Sequence, residues 1–170
     1  MCCYVGDAVL KTKILFMLKK LIDIEELENV EMRFIKYAPF MARTEGRQTH
    51  RGTFFRIFIN HATYKIIRTR RGMRLIYAEL AHEIGHVMHH KKNLVYLEKE
   101  QSPEEKLVAE KGADEYALLM LSKIFPDPKE VLLEQSFHAL KASLLNKNAS
   151  VEEKNLAREI FRVRSGFILG

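Results

Sequence analysis

Tryptophan is absent from this 170-residue chain, so any core must be filled by phenylalanine, leucine, isoleucine and methionine. Cysteine is nearly absent. The two that occur, Cys2 and Cys3, are adjacent at the very start, where they make neither a disulfide framework nor a zinc knuckle. That usage points to a reducing, intracellular compartment. Long apolar runs are missing too. The longest near the start, Ile14–Leu18, is bracketed by lysines and falls far short of the ~20 residues a membrane span needs. Nothing there resembles a signal peptide with a cleavage site, so the expectation is a cytoplasmic protein without a membrane partner. Internal repeats and low-complexity linkers are also lacking, which leaves one domain over residues 1–170.

Acids are scarce in one region. Between Met41 and Leu75, Glu45 stands alone against Arg43, Arg47, Arg51, Arg56, Lys65, Arg68, Arg70, Arg71 and Arg74. This block carries much of the net charge of +6 and could attract nucleic acid or an acidic partner. No DNA- or RNA-binding module accompanies it, so a solvated basic surface is favoured over direct nucleic-acid binding.

What remains is a globular balance, 47% apolar and 29% charged. Asp7–Lys20 carries apolar residues at the three-to-four spacing of an amphipathic helix. Glu31–Tyr37 and Thr53–Asn60 are rich in strand formers. The polar stretch between them, with Gly46 and Gly52, reads as a long hairpin connection, which predicts a small, mainly antiparallel sheet. A helix is expected from about Met73, after Gly72, to Lys91, with Asn93–Gln101 as a connector. Ser102-Pro103-Glu104-Glu105, Asp127-Pro128-Lys129-Glu130 and Ser150-Val151-Glu152-Glu153 each read as a helix start with a capping side chain and a glutamate reaching back. Helices are therefore predicted at roughly 103–125, 128–147 and 151–164, the first stopped by Pro126 and Pro128. The fold class is α+β: residues 1–75 a helix and small sheet, 76–126 two helices that bear the candidate site, and 127–170 further helices.

The chemistry concentrates in E-L-A-H-E-I-G-H-V-M-H-H, residues 79–90. On an α-helix His82 and His86 lie about 40° apart around the axis, so both project from one face. Imidazoles at that spacing can bind one zinc ion. Glu83 sits about 100° round, placed to take a proton from a water rather than to ligate. A third ligand must come from another element. Glu110-Lys111-Gly112-Ala113-Asp114 offers it, with Glu110 completing a His/His/Glu set and Asp114 accepting the free ring proton of a ligating histidine. Gly85 and Gly112 suggest that the two helices pack closely there. Glu104 and Glu105 belong to a helix start, and Glu115 lacks an acid four residues on.

H-E-x-x-H followed by a glutamate ligand on a second helix resembles the gluzincin metallopeptidases. The wording of His82-Glu83-Ile84-Gly85-His86 and of Glu110 through Ala117, with Pro126 closing the stretch, is similar to the ImmA/IrrE-type (DUF955) family over about residues 53–126. The resemblance implies a minimal zincin-like fold, in which a small sheet sits above an active-site helix and a helical lower half. It also implies an intracellular zinc-dependent endopeptidase that cleaves a protein or peptide substrate, often a repressor- or antitoxin-like DNA-binding regulator.

Other residues have weaker claims. His89 and His90 read as solvated or helix-end histidines favoured by the C-terminal dipole, not as ligands. His138 and Tyr116 are candidate donors to an oxyanion, although the spacing of Tyr116 with Ala113 and Met120 suggests packing. Phe54–Ile59 is mostly core, and its strand is the candidate edge along which an extended peptide docks. Two other readings stay open. One is a binding module in which residues 41–75 engage nucleic acid or a DNA-binding partner. The other is a different minimal gluzincin, with the same site chemistry and another substrate.

Overall fold

The computed structural model describes residues 12–21, 30–36, 41–49, 52–60, 68–93 and 102–170. Cys2, Cys3, the start of the helix expected from Asp7, and most of the connector at 93–101 lie outside the described residues.

Residues 12–21 form a helix (α1) whose Ile14, Met17, Leu18 and Leu21 are buried, the three-to-four stripe of the sequence. Three strands follow: β1 (Val30–Ile35), β2 (Ala42–Thr49) and β3 (Gly52–Asn60). Then come four helices, α2 (Arg70–Asn93), α3 (Pro103–Ser122), α4 (Pro128–Leu145) and α5 (Val151–Leu169). The architecture is α+β.

The sheet is mixed, not mainly antiparallel. Its order is β1-β3-β2, with β1 parallel to β3 and β2 antiparallel to it. The sequence misled because the polar stretch before β3 is itself a strand. Ala42, Thr44 and Gly46 alternate inward while Arg43 points outward, so period 2 is present, but carried by small residues rather than bulky ones. Those small residues oppose Ile59, Ile57 and Phe55 and let α2 approach this side of the sheet. Phe55, Ile57 and Ile59 form the centre of the inner face, with Val30, Met32 and Phe34 beside them.

α2 is buried almost all round from Leu75 to Val87, as expected of a helix at the centre of a small domain. It begins before Gly72, at Arg70, because the hydroxyl of Thr69 accepts the Gly72 N–H at 2.9 Å. Both serine starts form complete capping boxes: Ser102 with Glu105 (2.8 and 3.2 Å) and Ser150 with Glu153 (2.6 and 3.1 Å). Asp127 differs. It makes no side-chain cap bond, and its Oδ2 instead accepts from Arg74 at 2.5 Å, tying α2 to the start of α4. α3 and α4 end slightly before the predicted limits, whereas α5 continues past 164 to Leu169.

α2 and α3 cross at two glycines. A Cβ on Gly85 would lie 2.8–2.9 Å from the carbonyl carbon and Cα of Ala113, and closer still to its oxygen. A Cβ on Gly112 would meet the ring of His89, 2.7 Å from Cγ. The first obstacle is backbone and cannot turn aside. Gly85→Ala is therefore expected to force the helices apart, costing ~1–3 kcal/mol or more and lowering Tm by about 4–10 °C. Gly166, within α5, has nothing within 4 Å of its Cβ position, so Gly166→Ala should be neutral or stabilise by up to ~1 kcal/mol. Thermal unfolding of both variants checks this; an unchanged Tm for Gly85→Ala contradicts the close crossing.

Candidate metal centre

α2 presents His82 and His86, and α3 presents Glu110 across the crossing. One ligand atom from each of the three lies within 4.8 Å of the others. His82 Nε2 is 3.1 Å from Glu110 Oε2, and His86 Nε2 is 3.7 Å from Glu110 Oε1. Donors bonded to one tetrahedral zinc at ~2.0–2.2 Å stand roughly 3.4 Å apart, so the separations fit a common ion. Two imidazoles and a carboxylate also form a donor set for such an ion. These residues could hold a metal.

Beneath the ligands lies Asp114, wholly buried. Its Oδ1 is 2.8 Å from His82 Nδ1. Arg164 of α5 reaches the same carboxylate through Nε to Oδ2 at 2.7 Å and Nη2 to Oδ1 at 2.8 Å. Arg164 Nη2 also stands 3.2 Å from His82 Nδ1. A guanidinium only donates, so both contacts to Nδ1 cannot be hydrogen bonds at once. The one to Asp114 prevails, because it puts the ring proton on Nδ1 and leaves Nε2, which faces Glu110, free to ligate.

The network runs on. Arg164 Nη2 donates to Gln135 Oε1 at 2.7 Å, and Gln135 Nε2 donates to Glu79 Oε2 at 2.5 Å. Glu79 Oε1 accepts the Ala42 N–H of β2 at 3.0 Å, and the Thr44 hydroxyl donates to the Glu83 carbonyl at 3.0 Å. All four site-bearing elements of the lower half, and the strand above them, are thus joined by buried polar contacts. Arg164, Gln135 and Glu79 were not singled out in the sequence. Arg164 and Gln135 sit in ordinary amphipathic helices with no motif, and only the E-x-x-H spacing of Glu79 hinted at a shared face with His82.

The electrostatics follow from burial and these partners. Burial pushes Glu83 up to about 7, against the pull of the His82 charge and with help from the Glu79 carboxylate. Its Oε2 is buried and has no hydrogen-bond partner. Burial and Arg164 pull His82 down, but Asp114 and Glu110 outweigh them and raise it to about 10, so without an ion Nε2 also carries a proton, toward Glu110, which a bound metal would displace. Burial, with the His82 charge, lowers His86 to about 3. Burial alone would raise Glu110 and Asp114; for Glu110 the bond with His82, and for Asp114 the Arg164 guanidinium, reverse this, and both lie below the usual carboxylate range.

Comparison with family models, curated proteins and solved structures gave no match.

The remaining candidates separate cleanly. His138 lines the same cavity as His82, Glu83 and Glu110, and its Nδ1 is buried without a partner. Tyr116 packs against the hydrophobic core and does not line that cavity. His90 is buried, not solvated, and His89 rests on Gly112, because α3 covers this end of α2. β3 is the central strand, paired on both sides, so it cannot be a docking edge. The edge nearer α2 is β2. Asn60 N–H donates to Met41 O at 2.8 Å, and ladder alternation then turns the backbone groups of Ala42, Thr44 and Gly46 away from β3. In the basic block, Arg43, Arg56, Arg71 and Arg74 pair with Glu45, Glu31, Glu134 and Asp127. Arg47, Arg51 and Lys65 have side chains outside the described residues.

Removing the cation beneath the site tests the network. Arg164→Met leaves the Asp114 carboxylate buried beside His82 alone and should cost about 3–5 kcal/mol, read by urea unfolding in EDTA. Asp114→Leu/Arg164→Met should recover much of that loss. Because the Asp114 pKa is depressed in the fold, its contribution is complete above the ordinary aspartate value near ~3.9 and is lost as pH falls through its lower folded value. A loss below about 1 kcal/mol for Arg164→Met contradicts the pairing.

Proposed function

We propose that the protein is a zinc-dependent endopeptidase with a zincin-like fold, of the ImmA/IrrE type that its two motifs resemble. One observation carries this reading. His82, His86 and Glu110 converge where α2 and α3 cross, and His82, Glu110 and Glu83, whose Oε2 has no hydrogen-bond partner, line one cavity there. A structural metal site is closed by four protein ligands. Here three suitable donors converge among the described residues, with a buried acid beside them, which is the composition of a catalytic site.

His82, His86 and Glu110 would hold the ion. Bound there, zinc supplies a Lewis acid that makes water nucleophilic near neutral pH and polarises a carbonyl. Glu83, raised by burial, is suited to pass a proton both ways: its Oε2 takes one from the attacking water and gives it to the departing amine nitrogen. The C–O bond forms first, giving a tetrahedral oxyanion; the C–N bond then breaks as the nitrogen receives the proton from Glu83, and the products are a carboxylic acid and an amine. Asp114 holds His82 in the ligating tautomer, and Arg164 holds Asp114. His138 is placed in the cavity as a donor to the developing oxyanion. The outward backbone groups of Thr44 and Gly46 on β2 suit an extended peptide added as a further strand. The substrate class carried by the resemblance is a cytoplasmic repressor- or antitoxin-like regulator.

Ion-paired arginines at Arg43, Arg56, Arg71 and Arg74 weigh against a nucleic-acid surface made of those side chains. Glu83→Gln should retain about one zinc per chain yet lose ~10²–10⁴-fold in cleavage of a fluorescence-quenched peptide library. His86→Ala should lose both zinc and cleavage. Retained turnover in Glu83→Gln would sink the mechanism.

A further inference from the structure

One side of α3 is committed to the helix crossing and the interior, where Ala109, Gly112, Ala113, Asp114, Ala117 and Met120 are buried. Its other side is open. In mid-helix the exposed residues are Val108, Lys111, Glu115 and Leu119, spaced by three, four and four, so they form one stripe about 80° wide along the axis. Val108 and Leu119, 62% and 60% exposed, follow one border of this stripe, and Lys111 and Glu115 follow the other. Along α3 the stripe reads apolar, positive, negative, apolar. Turned end for end it reads apolar, negative, positive, apolar. The same face is therefore complementary to itself.

We propose that this stripe is the contact between two copies of the chain, packed antiparallel about a two-fold axis that crosses α3 between Lys111 and Glu115. Val108 then meets Leu119 of the second copy, and Lys111 meets its Glu115. The two-fold makes each contact twice. The apolar contacts lie about 16 Å apart and flank the charge pairs, shielding them from water. Three observations support a second copy as the occupant. Within one helix, a lysine four residues before a glutamate is the less favourable order for a pair. Lys111 Nζ instead lies over the Phe167 ring of α5, 5.4 Å from its centroid, and Glu115 has no ion-pair partner among the described residues. A contrast comes from α1, where Leu15 and Phe16 are exposed among Lys13, Lys19 and Lys20 with no acid in the described part of the helix, so a second copy there would be repelled. The pairing is independent of the peptidase reading. Glu110 projects about 140° round α3 from the centre of the stripe, so the dimer leaves the donor set uncovered.

Sedimentation equilibrium of the full chain at low ionic strength, from about 5 to 500 µM, tests this without metal or turnover in the range expected of a small contact. A monomer–dimer equilibrium is expected. Val108→Asp and Glu115→Lys alter exposed side chains, so both variants should keep the Tm of the parent while weakening the dimer at least ~10-fold. Lys111→Glu/Glu115→Lys exchanges the charges on both copies and should restore the dimer to within about threefold of the parent. A chain that stays monomeric over the whole range overturns the contact. So does a dimer that Val108→Asp and Glu115→Lys leave unchanged, which would place the interface elsewhere. A dimer lost in Glu115→Lys and not recovered by the charge exchange overturns the antiparallel register.

Discussion

A carboxylate with no access to water, Asp114, constrains the whole lower half of this protein. At 0% exposure it cannot remain ionised without partners, and it has two, a guanidinium and an imidazole. Arg164 arrives from the last helix and His82 from the first of the site-bearing pair, 82 residues apart in sequence. Both must therefore be in place before the interior is satisfied. The same contacts set the His82 proton on Nδ1, so the electrostatic requirement of folding and the requirement of metal ligation coincide. Gln135 and Glu79 extend the chain of bonds to the backbone of β2, which couples the position of the sheet edge to that of the ligands.

Close approach is the second requirement. Glu110 reaches the histidines because α2 and α3 nearly touch at Gly85 and Ala113, where any side chain would separate them. Glycine in mid-helix costs about 1 kcal/mol relative to alanine. The cost is tolerated where it brings two imidazoles and a carboxylate within reach of one ion. Around that point the cavity lining is polar at His82, Glu83 and Glu110 and apolar along α4 and α5.

The legible parts of the sequence were those with short-range logic. H-E-x-x-H and E-x-x-x-D repeat at helical spacing, so the faces bearing His82, His86, Glu110 and Asp114 could be read without tertiary information. Ser102 and Ser150 likewise gave true capping boxes, since each box closes within four residues. Asp127 had the same spelling, but a long-range partner, Arg74, competed for its carboxylate and won. β2 was hidden because its inward residues are Ala42, Thr44 and Gly46, small enough to admit α2 but without the bulk that marks a strand. With that strand unread, β3 passed for an edge and the sheet for antiparallel. Arg164 was invisible because nothing local distinguishes it from the exposed Arg162 or Arg158. Its role depends on which way α5 lies, which no periodicity of a single helix specifies.

The claim on which the rest stands is that His82, His86 and Glu110 hold one ion in a shell of nitrogen and oxygen. X-ray absorption at the zinc edge, on the protein loaded with one equivalent, measures this directly. The account predicts only N/O neighbours near ~2.0–2.1 Å, with the outer-shell scattering of two imidazoles, and loss of that signal in His86→Ala. Sulfur at ~2.3 Å, which would place the ion on Cys2 and Cys3, or a spectrum unchanged by His86→Ala, would contradict it.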